Sequence, residues 1–123
     1  FGAAVDDTAK KEVTIDITAP PPGATCSPAC FGTPNVKVKV GTKITWVNQS
    51  TTPHTVTAIK GGDPSKEVPD PSVFDSGAGS LIQPNATFSY TVTQAAYDAN
   101  KDHTVIYYCQ IHPGMLAMLT IVP

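Results

Sequence analysis

Cys109, His112 and Met115 fall in one short stretch, Cys109-Gln110-Ile111-His112-Pro113-Gly114-Met115. A thiolate and a thioether are soft donors, and an imidazole is intermediate. Soft sulfur beside nitrogen suits copper. One cysteine and two histidines in a trigonal set, with a weak axial methionine, is the arrangement that passes single electrons. The stretch supplies only one of the two histidines, and the chain has three in all. His54, after Pro53, ends a polar loop that begins at Asn48. His103 is the other candidate, but it lies beside Lys101 and Asp102, where a solvated loop is the plainer reading.

The axial position has two contenders, Met115 and Met118. Alternation along the last apolar run puts Ala117, Leu119 and Ile121 on a core face. Met118 then faces outward, which favours Met115. A tight Pro113-Gly114 turn could hold the Met115 sulfur too far away. The fourth position would then be empty or hold water, and the metal could react with a small molecule such as nitric oxide.

Cu(II) and Cu(I) prefer different geometries, so the ligands need a rigid support. The sequence offers strands. Val13, Ile15 and Ile17 alternate with polar residues, as do Val36, Val38 and Val40. Ile44 and Trp46 share a face of the next strand. Thr55 to Ile59, a short piece ending in Phe74-Asp75-Ser76-Gly77, the run Phe88 to Val92, Thr104 to Cys109 and Leu116 to Val122 follow. Pro84-Asn85 reads as a turn, and 94–100 as one helical turn. Residues 1–11 read as a loose arm, and 60–72 as a long surface loop. With 12 prolines and nine glycines as punctuation, the pattern predicts an all-β Greek-key sandwich or barrel of about seven or eight strands, in one domain over 1–123.

Four pieces in order resemble a cupredoxin of the plastocyanin and amicyanin kind. They are Trp46-Val47-Asn48 ahead of Pro53-His54-Thr55-Val56-Thr57, then Phe74-Asp75-Ser76-Gly77, then Phe88-Ser89-Tyr90-Thr91-Val92, then Tyr107-Tyr108-Cys109 through Met115. A fainter resemblance is to a purple cupredoxin of an ammonia-oxidising archaeon. The resemblance implies a type 1 site holding one copper ion, with His54, Cys109 and His112 in the plane and Met115 axial. It also implies an electron carrier cycling between Cu(II) and Cu(I). The spacing from Cys109 to His112 to Met115 is amicyanin-like, whereas plastocyanin has a longer His-to-Met interval. Asn48, Thr55 and nearby backbone are the expected partners that orient the imidazoles. His112 is expected near the surface within an apolar patch of Pro53, Pro113, Gly114 and Leu116. Redox proteins would dock there briefly.

The remaining cysteines pair on paper. Cys26 and Cys30 are close, and an odd count leaves Cys109 as the distinct one. Their spacing also resembles part of a dinuclear copper loop, but Pro34 stands where that loop needs a histidine. A disulfide is the expectation, and it points to an oxidising, extracytoplasmic location from which any export signal has been removed. Trp46 and the tyrosines are expected to pack the core rather than relay electrons.

Composition removes several classes. The 123 residues carry a net charge of −2, with no basic excess to attract nucleic acid. No run is long and apolar enough to span a membrane. A multicopper oxidase would flank its cysteine with histidines, but Tyr108 and Gln110 stand there. A copper nitrite reductase needs more histidines, and a copper store needs more methionines. The expectation is a monomeric carrier, with a copper enzyme acting on a small molecule as the alternative. Asn48-Gln49-Ser50 and Asn85-Ala86-Thr87 both fit the N-glycosylation pattern.

Overall fold

The computed structural model describes residues 1–20, 22–26, 30–112 and 114–123. Among them, β-branched and aromatic residues alternating with polar ones build eight strands. These are β1 (Val5–Asp6), β2 (Glu12–Ile17), β3 (Asn35–Lys39), β4 (Lys43–Asn48), β5 (Thr57–Ala58), β6 (Thr87–Thr91), β7 (Thr104–Tyr108) and β8 (Leu116–Val122). One sheet has the order β1-β3-β8-β7-β5 and the other β2-β4-β6. Every connection from β1 to β7 crosses between the sheets, and β7 and β8 pair as antiparallel neighbours. The expected all-β sandwich is the fold.

The period-2 pattern decides which side chains meet between the sheets. Val13, Ile15 and Ile17 of β2, Val36 and Val38 of β3, and Ala117, Leu119 and Ile121 of β8 are all buried, as expected. Trp46 lies fully buried at the centre. Its ring centroid is 5.5 Å from Phe74, 5.9 Å from Phe88 and 5.4 Å from Tyr107, and its Nε1–H donates to the Tyr107 hydroxyl at 3.3 Å. Large buried rings contribute most to such a core when their polar atoms also find partners. The outer face of β7 is covered as well. Ile106 and Tyr108 form a second cluster with Ile59, and the Tyr108 hydroxyl donates to the Glu67 carbonyl.

Three expected elements differ. The segment 55–59 is a strand only at Thr57–Ala58, and Phe74–Gly77 ends no strand. Backbone bonds do join the two segments, from Ala58 N to Phe74 O and from Ser76 N to Val56 O. Pro69, Pro71 and Gly77 keep that pairing from extending into a ladder. The N-terminal arm is also pinned. Val5 and Asp6 pair in parallel with Val36 and Lys37, and buried Asp7 bonds Lys10 at 3.2 Å. The helical turn forms at Gln94–Asp98, where Thr93 Oγ1 accepts from Ala96 N. Asn85 occupies a left-handed conformation (φ 68°) in the expected turn.

Cys26 and Cys30 are disulfide-bonded, which ties the β2–β3 connection. The intervening residues 27–29 lie outside the described residues. Cys109 is the free cysteine among the described residues, and it is buried.

Candidate metal centre

Strand parity aims the site. On β4 the core face runs Ile44, Trp46, Asn48, so an asparagine enters the end of the sandwich fully buried. On β7 the core face runs Val105, Tyr107, and the same parity continued one residue past the strand delivers the Cys109 thiol to the same end. β5 pairs with β7 so that Thr57 faces Tyr108. The same antiparallel register continued past the strand ends sets Val56 against Cys109 and Thr55 against Gln110, with His54 the next residue along. The hydrogen bonds follow this register. Thr55 N donates to Cys109 Sγ at 3.3 Å, and Gln110 N donates to Thr55 Oγ1 at 2.8 Å.

The loop carrying His54 is built around Asn48. Its Nδ2 donates to the carbonyls of Thr52 (2.8 Å) and Ile82 (2.9 Å). Its Oδ1 accepts from Ser50 N and from the Ser50 hydroxyl, at 3.0 and 2.6 Å. His54 and Ile82 exchange two backbone bonds. Ser50 Oγ lies 2.8 Å from His54 Nε2. With its single hydrogen taken by Asn48 Oδ1 or by the Thr52 carbonyl at 2.9 Å, Ser50 accepts from Nε2–H. That tautomer leaves Nδ1 as the free electron pair. Burial first, and then the neighbouring His112, push the His54 pKa down to about 4. The ring is therefore neutral, as a metal ligand must be, at ordinary pH.

The Cys109 loop closes on itself. Cys109 N donates to Met115 O, His112 N to Cys109 O and Met115 N to His112 O. His54 Nδ1 lies 3.7 Å from Cys109 Sγ, and His112 Nδ1 lies 3.4 Å from it. One donor atom from each of His54, Cys109 and His112 falls within 4.8 Å of the other two. A planar metal about 2.3 Å from sulfur and about 2.0 Å from nitrogen separates those donors by roughly 3.7 Å. The observed spacings fit a metal held between them. A thiolate with two imidazoles selects copper over hard cations such as magnesium and calcium.

Met115 is fully buried in the same core as Cys109. His103 is elsewhere. It adopts φ 59°, stacks on Tyr97 at 3.8 Å, and places Nδ1 2.7 Å from the Tyr97 carbonyl. Asn48 and Thr55 were the expected supports. Thr55 holds the sulfur, while Asn48 acts on His54 through Ser50. Ser50 and Thr52, both near His54 Nε2, were missed. Ser50 was legible only as the last residue of a glycosylation pattern, yet Asn48 is buried with its amide committed to two carbonyls.

Residues 23–122 match the copper binding proteins of the plastocyanin/azurin family, and the chain belongs to that family. Its cofactor is copper. Among solved structures, it is similar to a purple cupredoxin from Nitrosopumilus maritimus, at 20% identity and TM-score 0.64, covering 89% of this chain and 99% of that one. It is also similar to a Cu(I) form of an amicyanin variant, at 24% identity and TM-score 0.60, covering 94% and 87%. A reduced amicyanin variant aligns at 25% identity with TM-score 0.58 over the same shares. No curated protein matches the sequence.

Proposed function

We propose that the protein is a soluble one-electron carrier whose single copper ion would be held by His54 Nδ1, Cys109 Sγ and His112 Nδ1, with Met115 as a further ligand. The observation that carries this reading is the convergence of the three donors at the end of a rigid sandwich. Copper supplies the Cu(II)/Cu(I) couple, and its bond to the cysteine sulfur supplies a covalent path for the electron. The chain does the rest. Ser50, held by Asn48, fixes the His54 ring. Thr55 N–H fixes the sulfur. Full burial of Cys109 and Met115 excludes water from that side, which supports a closed electron-transfer site over an open reactive one.

His112 is half-buried, unlike His54 and Cys109, and is the outlet to partners. Ile111 beside it is 42% exposed, and Pro53, Gly114 and Leu116 are each partly exposed. Pro113, the other residue expected in this patch, lies outside the described residues. A small apolar contact suits brief docking of redox proteins and quick release. The disulfide supports an extracytoplasmic location. Among the described residues, no helix is long and apolar enough to cross a membrane.

The test is copper titration followed by visible absorption. One equivalent should raise an intense copper–thiolate band, and Cys109→Ser should abolish it. A band retained without the thiol would sink the assignment. Nitric oxide added to the oxidised protein should yield no nitrite. Nitrite formation would move the reading to the small-molecule enzyme.

A further inference from the structure

Beside Cys109 a chain of hydroxyls ends on a carboxylate. Gln110 N donates to Thr55 Oγ1 at 2.8 Å, and Thr55 Oγ1 lies 3.1 Å from Thr57 Oγ1. Thr57 Oγ1 donates to Asp75 Oδ1 at 3.0 Å. Gln110 Nε2 closes the ring, donating to Thr57 Oγ1 (2.9 Å) and Asp75 Oδ1 (3.1 Å). Gly77 N also donates to that oxygen, at 2.8 Å. The direction of every hydrogen is fixed. An amide N–H only donates and a carboxylate only accepts, so Thr57 gives its one hydrogen to Asp75 and Thr55 gives its own to Thr57.

Thr55 and Gln110 are not remote residues. Thr55 follows His54 and gives its backbone N–H to the Cys109 sulfur, and Gln110 follows Cys109. Thr55 and Thr57 are fully buried, so water does not compete for the bond between them, while Asp75 and Gln110 are partly buried. A partly buried carboxylate and the dipoles aligned on it act over several ångströms, screened less than in bulk water.

We infer that Asp75 is a positioning residue for the copper site, which through Thr57 and Gln110 locks the two ligand loops together and, by its charge, lowers the reduction potential. This inference rests on the copper reading above. The carboxylate favours the more positive oxidised metal, so removing its charge favours Cu(I). The hydroxyl chain holds the Thr55 amide against the sulfur, so breaking it changes the copper–thiolate bond. Asp75 touches neither the metal ligands nor a substrate.

The experiment compares copper-loaded wild type, Asp75→Asn and Thr57→Val by visible absorption, electron paramagnetic resonance and redox titration. Asparagine keeps an oxygen for Thr57, Gln110 and Gly77 while losing the charge. The expected Asp75→Asn protein binds one copper with the band intact. Its redox equilibrium shifts roughly threefold to tenfold toward Cu(I), which is about 30 to 60 mV for one electron. Thr57→Val keeps the charge and shape but breaks the chain, and its copper–thiolate resonance parameters should change. An Asp75→Asn protein with the band and the wild-type potential overturns the inference. Should Asp75→Asn fail to fold, Thr57→Val decides alone, and parameters identical to wild type overturn it. A wild type that shows no intense band on copper loading defeats the copper reading instead, so the two failures are distinct.

Discussion

Ser50 decides which nitrogen of His54 faces Cys109. The imidazole has two nitrogens, and only the hydrogen bond made by one of them frees the other for a metal. Ser50 Oγ at 2.8 Å from Nε2 makes that choice, and Asn48 and the Thr52 carbonyl make Ser50 a hydrogen-bond acceptor. Ser50→Ala should therefore weaken copper binding about tenfold to a hundredfold, measured by competition with a chelator. An unchanged affinity would mean that the loop backbone alone fixes the ring. At this scale the ligands and two of their supports, Asn48 and Thr55, were legible, and Ser50 was not. Cysteine, histidine and methionine declare copper by their donor chemistry, whatever surrounds them. A serine declares nothing until the loop from Asn48 to His54 folds back on itself.

The strands aim these residues by parity. Ile44, Trp46 and Asn48 share one face of β4, and Val105 and Tyr107 share one face of β7 whose parity continues to Cys109 just past its end. Trp46 and Tyr107 bridge the two sheets one step below the site, joined by a hydrogen bond. Trp46→Ala should cost about 3 to 5 kcal/mol of stability, read from urea unfolding of the metal-free protein. A loss well under 1 kcal/mol would contradict the central place given to that ring. Alternation made β2, β3, β4, β6, β7 and β8 legible, because each has one wet face and one buried face, or a buried run bounded by turns. It failed at 55–59 and 74–77. There Thr55 and Thr57 serve a polar network, and the prolines nearby limit the ladder, so side-chain type no longer reports strand pairing. It also failed at Val5–Asp6, whose two-residue pairing leaves no periodic trace.

As a whole, the molecule places its metal site at one end and leaves only the His112 edge of that site toward the surface. The net charge of −2 gives little long-range steering. On the proposed function, recognition falls to the apolar surface next to His112, where Ile111 is the most exposed large hydrophobic residue of the loop. Ile111→Asp should slow electron self-exchange between two copies about tenfold, because it adds like charge where the copies must meet. The visible spectrum should not change. Equal rates would place the docking surface elsewhere. The family was legible from four short pieces in order, two of which carry the ligands while the other two lie on β6 and beside β5. The exposure of Ile111 was not, since it depends on how the closed loop turns.

The central claim is that His54, Cys109 and His112 hold one copper ion with Nδ1, Sγ and Nδ1 as donors. The most direct measurement is anomalous X-ray diffraction at the copper absorption edge from copper-loaded crystals. A single copper peak bonded to those three atoms is the expected result. A peak at His103, or copper held through His54 Nε2, would contradict it.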